Sequence, residues 1–375
     1  MSIKEIDKEY VAGTYGRFPV EIVSGKGSVV VDETGKEYID LTSGIGVTSF
    51  GIADDLWVKA TTEQLSKVQH MSNLFYTEPC AKLAEILCNK TGMSKVFFCN
   101  SGAEANECAI KVARKYKGRS TIVTLNNSFH GRTLTTLSAT GQEHYHELFQ
   151  PLTPGFLSIS TIEELEALSD VAGVLIECIQ GEGGVVPIDV DFAHQIEEYC
   201  KQNDTLLMVD EVQTGNGRTG KMYAYMNYGL HPDVVSTAKG LGGGLPIGAV
   251  LMSEKVQDVL GPGDHGSTFG GNPVACAGAI SIVNRIDDNL LSEVSKKSKL
   301  IFDTFTGAPG VEDVTGLGLM IGIKTVKPAK DVVNTCIEKG VLCLTAKDKV
   351  RLLPALNIDE DVLVKALEVI KEVIK

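Results

Sequence analysis

Lys239 stands where an apolar run gives way to glycines, in Ser236-Thr237-Ala238-Lys239-Gly240-Leu241-Gly242-Gly243-Gly244-Leu245-Pro246. Upstream, Leu206-Leu207-Met208-Val209-Asp210-Glu211 sets a carboxylate just after a second apolar run. An amine and an acid at the ends of two buried strands suit a carbonyl-bearing pyridine cofactor. The amine holds the carbonyl as a Schiff base, and the acid keeps the ring nitrogen protonated. The plainer alternative is a surface lysine in a flexible glycine loop, so the remaining residues must decide.

Asn100-Ser101-Gly102-Ala103-Glu104 follows a short apolar strand and opens a helix. Free N–H groups and the helix dipole favour a phosphate there, with Gly102 allowing close approach. Ser101-x-x-Glu104 is equally a capping box, which needs no ligand. In Ser128-Phe129-His130-Gly131-Arg132-Thr133, Phe129 suits stacking on a flat ring and Arg132 suits a two-pronged grip on a carboxylate. A loop with a surface arginine is the alternative. His130 reads as a supporting residue, because a Schiff-base lysine can itself move protons. Gln180-Gly181-Glu182 adds an acid in a glycine turn, while Val212 and Gln213 follow Asp210 directly. Ligands of parallel sheets gather at the carboxyl ends of strands, so these groups should converge. Together they match pyridoxal phosphate: amine, ring acid, stacking face, phosphate cradle and a substrate-carboxylate anchor.

Other cofactors fit less well. Gly215-Asn216-Gly217-Arg218-Thr219-Gly220 has the spacing of a dinucleotide fingerprint, but five residues separate it from the strand end at Val209. There is no phosphate-binding G-x-x-x-x-G-K-[ST], and His144-Tyr145-His146 lacks a cluster of ligands for a metal.

The elements that must position these groups alternate in type. A hairpin is expected over 27–41, helices at about 54–71 and 77–90, a strand at 95–99 and a helix from 101 to 117. Strands follow near 120–124, 172–177, 205–209, 234–237 and 247–252, the rhythm of an α/β domain with a largely parallel sheet. Beyond about 275 come two long helical stretches, strands at 317–323 and 340–344, and an amphipathic helix over 359–375.

With 375 residues, 43% hydrophobic and 22% charged, the chain has the composition of a soluble globular protein of about two domains. A net charge of −13 argues against nucleic acid or anionic membrane as partner, and makes single arginines informative. Nine scattered cysteines without C-x-x-C spacing suggest reduced thiols and a cytoplasmic setting. The opening Met1–Asp7 has no signal-peptide character, and no apolar run is long enough for a membrane span.

These motifs in this order resemble the class III pyridoxal-phosphate-dependent aminotransferases, almost end to end. The likeness runs through Tyr15-Gly16-Arg17-Phe18-Pro19-Val20, Ser72–Pro79, Ser101-Gly102-Ala103 and Phe129–Thr133. It continues through Gln180-Gly181-Glu182, Asp210–Gly215, Ala238-Lys239-Gly240, Gly266–Pro273 and Arg351-Leu352-Leu353-Pro354. It implies fold type I: a large domain with a seven-stranded, mostly parallel sheet and a smaller α/β domain built from both chain ends. The expected division is 1–50 joining the small domain, 51–275 for the large domain and 276–375 for the C-terminal small domain. The resemblance gives Lys239 the Schiff base, Asp210 the pyridine nitrogen and Phe129 the stacking face. It gives Ser101, Gly102 and Ala103 the phosphate, and adds Val212 and Gln213 around the ring. It implies a homodimer in which Thr268 reaches the neighbouring subunit's phosphate. Arg132, Glu182, Arg351, Tyr15 and Ser267 fall to the substrate, with Glu182 pairing Arg351 until a second carboxylate needs it. The activity implied is transfer of the δ-amino group of N2-acetyl-L-ornithine to 2-oxoglutarate, in arginine biosynthesis. Ornithine, succinylornithine or another ω-amine as donor, or an aminomutase of the same fold, are the alternatives. Three positions depart from the pattern: Cys178 and Ala355 where prolines are usual, and Ala103 where threonine is common.

Overall fold

The computed structural model describes every residue, Met1–Lys375. A seven-stranded sheet forms its centre, in the order Lys95–Cys99, Gly248–Met252, Val234–Thr237, Leu206–Asp210, Val171–Ile176, Thr121–Leu125, Phe156–Ile159. Gly248–Met252 runs antiparallel to both neighbours, and every other adjacent pair is parallel. The three central strands are buried along their whole length, which is why they read as unbroken apolar runs.

Alternation along these strands separates two cores. Leu207 and Val209 face a layer containing Tyr223, Ala279 and Ile282. Leu206 and Met208 face Ala109, Val112 and Ala113. Those alanines and Val112 belong to the helix Gly102–Lys117, whose small buried residues let it lie close on the sheet. A third core joins Val30, Tyr38 and Leu41 near the start of the chain to Ile321, Ile323, Val350, Leu363 and Ile370 near its end. Seven of the nine cysteines are buried, mostly within these cores. No helix is long and apolar enough to cross a membrane.

Several expectations need correction. Phe156–Ile159, the seventh strand, is absent from the sequence reading. It has four residues at the sheet edge with Leu157 and Ser158 exposed, so it shows no alternating pattern. The strand expected over 317–323 is a hairpin, Val311–Leu317 with Met320–Thr325, turning at Gly318 with φ +59°. The strand expected over 340–344 divides: Val341–Leu342 pairs parallel to Glu37–Asp40, while Leu344–Ala346 pairs with Lys349–Leu352 in a different sheet. Lys349–Leu352, which carries Arg351, was itself unforeseen. The hairpin expected over 27–41 is present as Val29–Asp32 and Glu37–Asp40, preceded by a further strand, Ile22–Lys26.

Candidate active site

A cavity of about 480 Å³ opens at the carboxyl ends of the central strands. Ser101, Gly102, Ala103, Phe129, Arg132, Asp210, Val212, Gln213 and Lys239 all line it. Asp210 is buried there, only 5% exposed. Its Oδ2 accepts from Asn106 Nδ2 at 2.7 Å and lies 2.8 Å from His130 Nδ1, and its Oδ1 accepts from the Val212 amide at 3.0 Å. Asn106 is fixed in turn: its Oδ1 accepts from Ser236 Oγ at 2.5 Å, and its amide also donates to the His130 carbonyl at 2.8 Å. A carboxylate so held keeps one orientation toward the cavity. His130 Nε2 is buried and has no partner within the chain.

At the other wall the helix Gly102–Lys117 presents its N-terminus. Ser101 Oγ accepts from the Glu104 amide at 3.2 Å, one half of the expected capping box. The other half does not form, because Glu104 Oε2 turns to the backbone and side-chain amides of Asn100, each at 2.8 Å. No hydrogen bond within the chain uses the Gly102 or Ala103 amides. They point the dipole's positive end at the cavity, as an anion requires. Gly102 has a steric reason as well: a Cβ there would lie 2.5 Å from Val212 Cγ1.

Lys239 begins a short 3-10 turn after Val234–Thr237, with φ +42°. A lysine rarely adopts that conformation, and backbone strain of this kind clusters at functional sites. Burial lowers the pKa of its amine; nearby Glu182 and Asp210 oppose the shift and Arg351 adds to it. A lowered pKa leaves more of the amine free to attack a carbonyl. Phe129 packs edge-on against Tyr145 with centroids 5.8 Å apart, and the Arg132 guanidinium lies 4.8 Å from the Tyr145 ring centre. Arg132 is exposed and rests over aromatic rings rather than against a carboxylate.

Glu182 and Arg351 do not line the cavity themselves, but both bond Gln213, which does. Arg351 Nη1 donates to Glu182 Oε1 at 2.6 Å and to Gln213 Oε1 at 3.2 Å. Burial pushes the Glu182 carboxyl up, but the charge and hydrogen bond of Arg351, helped by Lys239, leave it below the usual range. Arg351 is 3% exposed, and its Nε has no partner.

Three expected residues stand apart. Tyr15 is 74% exposed and sits beside Arg17 in a separate surface depression. Thr268 is exposed and does not line the cavity. Ser267 is one step removed: its Oγ accepts from Asn100, which does line the cavity, at 3.0 Å. The sequence reading missed Asn106 and Glu177. Asn106 lies one helical turn beyond Ala103, a spacing that faces the same way. Glu177 directly follows Val171–Ile176 and accepts from the Phe129 amide at 2.9 Å and the Gly181 amide at 3.3 Å. Burial pushes its carboxyl up.

These groups fit pyridoxal phosphate on the chain's own chemistry: a desolvated amine, a fixed buried acid, two unpartnered helix amides and an unpaired arginine at one cavity. The family model for class-III aminotransferases matches residues 10–374. The chain is 47% identical to the acetylornithine aminotransferase of Haemophilus ducreyi, covering 99% of this chain and 98% of that one. Its backbone superposes on the ornithine aminotransferase of Toxoplasma gondii with a TM-score of 0.94 at 32% identity, covering 99% and 94% of the two chains. For the N-acetylornithine aminotransferase of Stenotrophomonas maltophilia the values are 0.85 and 35%, covering 99% and 98%. Fold and cavity together define a pyridoxal-phosphate-dependent transferase with a mostly parallel seven-stranded sheet. Within that class, the chain belongs to the class-III aminotransferases.

Proposed function

We propose that this aminotransferase moves the δ-amino group of N2-acetyl-L-ornithine to 2-oxoglutarate, a step of arginine biosynthesis. The observation that carries the reading is the unequal state of two arginines. Arg132 is open to the cavity, whereas Arg351 is buried and paired with Glu182. A donor with one carboxylate needs only Arg132. A keto acid with two needs both, and obtains the second by displacing Glu182. N-acetylornithine and 2-oxoglutarate are such a pair, and the kinship with the Haemophilus ducreyi enzyme supports the same choice.

Pyridoxal phosphate, when bound, supplies the carbonyl that exchanges amines and a ring that takes up electron density. The chain's residues do the rest. Lys239 would hold the carbonyl carbon and, once released, act as the base that moves a proton at the donor's δ-carbon. Asp210 would keep the ring nitrogen protonated, held in place by Asn106 and His130. Phe129 and Val212 would enclose the ring, Gln213 would bond its hydroxyl, and Ser101, Gly102 and Ala103 would hold the phosphate. Arg132 would fix the α-carboxylate, with Ser267 beside Asn100 on the substrate side.

Thr268 and Tyr15 lie too far out to serve this cavity, which supports a homodimer in which Thr268 completes a neighbour's phosphate site. Exposed Leu74, Phe75, Tyr76 and Phe269 offer apolar surface for such an association. Sedimentation at working concentration tests it: a fully active monomer ends the idea. A cytoplasmic setting belongs to the same reading. The backbone likeness to an ornithine aminotransferase keeps free ornithine as the second candidate donor. Turnover of a donor panel with 2-oxoglutarate as acceptor separates them: preference for ornithine or 4-aminobutyrate over N-acetylornithine overturns the substrate assignment.

A further inference from the structure

The glycine-rich segment 215–220, which has dinucleotide-fingerprint spacing and binds no ligand in the function above, grips both working ends of the site. Asn216, with φ +58°, donates from Nδ2 to Thr237 Oγ1 at 3.0 Å and to the Ala238 carbonyl at 3.3 Å, the residue before Lys239. Two residues later, Arg218 is 2% exposed. Its Nη1 donates to the carbonyls of Leu319, at 3.1 Å, and Pro354, at 2.5 Å. Leu319 returns a bond from its amide to the Arg218 carbonyl at 2.8 Å. The approach is close: a Cβ on Gly318 would lie 2.4 Å from that same carbonyl oxygen. Burial lowers the guanidinium's pKa to about 10. A buried cation that donates to carbonyls, rather than to a carboxylate, is a costly way to join two segments. A neutral side chain would serve packing alone.

Pro354 lies three residues beyond Arg351, on the chain leaving the strand Lys349–Leu352. The same exit is tied by the Leu353 amide to the Leu41 carbonyl at 2.7 Å and by the Leu356 amide to the Ser49 carbonyl at 2.8 Å. Ser49 Oγ in turn donates to the Gly240 carbonyl at 3.1 Å. Two buried cations belong to this set: Arg218, and Lys297, whose Nζ donates to the Leu356 carbonyl at 3.2 Å; Arg218 is the one nearer Arg351 in sequence, through Pro354. We propose that Arg218 is a positioning residue for the second carboxylate site: through Pro354 it fixes where Arg351 presents its guanidinium, and so sets affinity for a dicarboxylic keto acid. Arg218 touches neither cofactor nor substrate. Both carbonyls are held by the one nitrogen Nη1, and the rigid guanidinium plane fixes where that nitrogen sits, which a lysine's flexible stem does not reproduce.

The inference rests on Arg351 serving the keto acid, as proposed above. The test uses holoenzyme carrying Arg218→Lys or Arg218→Gln, alone and with Arg351→Ala. A displacement of about an ångström in a binding group typically costs up to roughly a hundredfold. KM for 2-oxoglutarate is therefore expected to rise roughly ten- to a hundredfold, while KM for N-acetylornithine stays within about twofold. In the Arg351→Ala background, Arg218→Lys is expected to add almost nothing, because both changes act on one subsite. Equal rises in both KM values, or a full additional loss in the double variant, overturn the proposal. So does an Arg218→Lys protein that does not fold, since Arg218 would then hold the domains together in general. If Arg351→Ala alone leaves 2-oxoglutarate unaffected, the functional reading has failed. If Arg351→Ala acts and Arg218→Lys does not, only this inference has failed.

Discussion

Replacing Arg351 by alanine should separate the two halves of the reaction. In the resting chain Arg351 Nη1 bonds Glu182 at 2.6 Å and Gln213 at 3.2 Å, behind a wall that leaves the arginine 3% exposed. A keto acid that displaces Glu182 exchanges one carboxylate for another, so the intact enzyme gains only the difference. Without Arg351 the incoming carboxylate finds no cation and faces Glu182 directly. A charged hydrogen bond in a partly dry site contributes about 1.5–3 kcal/mol, and the repulsion from Glu182 places the loss toward the upper part of that range. Affinity for 2-oxoglutarate should fall by roughly a hundredfold. Amine donation from N-acetylornithine does not recruit Arg351 and should change little. Single-turnover absorbance follows each half, because the bound cofactor absorbs differently in its carbonyl and amine forms. Adding Glu182→Gln to Arg351→Ala should recover part of the keto-acid affinity by removing the stranded charge. Equal slowing of both halves would refute the reasoning and leave Arg351 a structural residue.

Lys239→Ala should abolish borohydride fixation of the cofactor and nearly all turnover; peptide mass analysis that finds the reduced cofactor on another lysine overturns the assignment. Asp210→Asn should retain some cofactor yet lose turnover strongly, by the equivalent of roughly 3–5 kcal/mol, as removal of a buried charge partner commonly does. Near-normal turnover would remove its ring-acid role. Glu211 is fully buried beside Asp210, and burial pushes its carboxyl up to about 7. A raised acid pKa stabilises the fold below the unfolded value near 4.5 and loses that contribution as pH rises through about 7, by up to roughly 3 kcal/mol. Glu211→Gln should therefore gain thermal stability relative to wild type as pH rises from 5 to 8; a gap that stays constant with pH contradicts this.

The legible part of the fold was the part buried on both faces. Val171–Ile176, Leu206–Asp210 and Val234–Thr237 carry their position in unbroken apolar runs, because layers cover them on each side. Phe156–Ile159 lies at an edge and has no such requirement, so nothing in its composition distinguishes it from loop. The C-terminal strands were obscured for another reason. Gly316 and Gly318, with φ +124° and +59°, fold an apparent single run into a hairpin, and the chain changes sheets between Leu342 and Leu344. Local periodicity records burial, not partners.

The site divides along a similar line. Lys239, Asp210 and Gly102 announced themselves because each breaks its surroundings: a cation, an acid and a missing side chain at the ends of apolar elements. Asn106 and Glu177 did not, since an asparagine within a helix and an acid after a strand each have ordinary uses. Their place at the cavity comes only from the sheet bringing distant turns together, so that Asn106 bonds a residue 104 positions away in the sequence. Glu182 and Arg351 show the same dependence, 169 positions apart and joined by one ion pair. The residues expected to react are thus visible one at a time, while those that orient them are visible only as pairs. Arg218 is the extreme case. In sequence it belongs to a glycine motif with the spacing of a dinucleotide site, yet in the folded chain its charge is spent on the carbonyl that follows Arg351's strand. Close passage of two backbones there is permitted by Gly318, opposite the motif, while the motif's own Gly217 and Gly220 face the side chains of Leu356 and Ser295 rather than a phosphate.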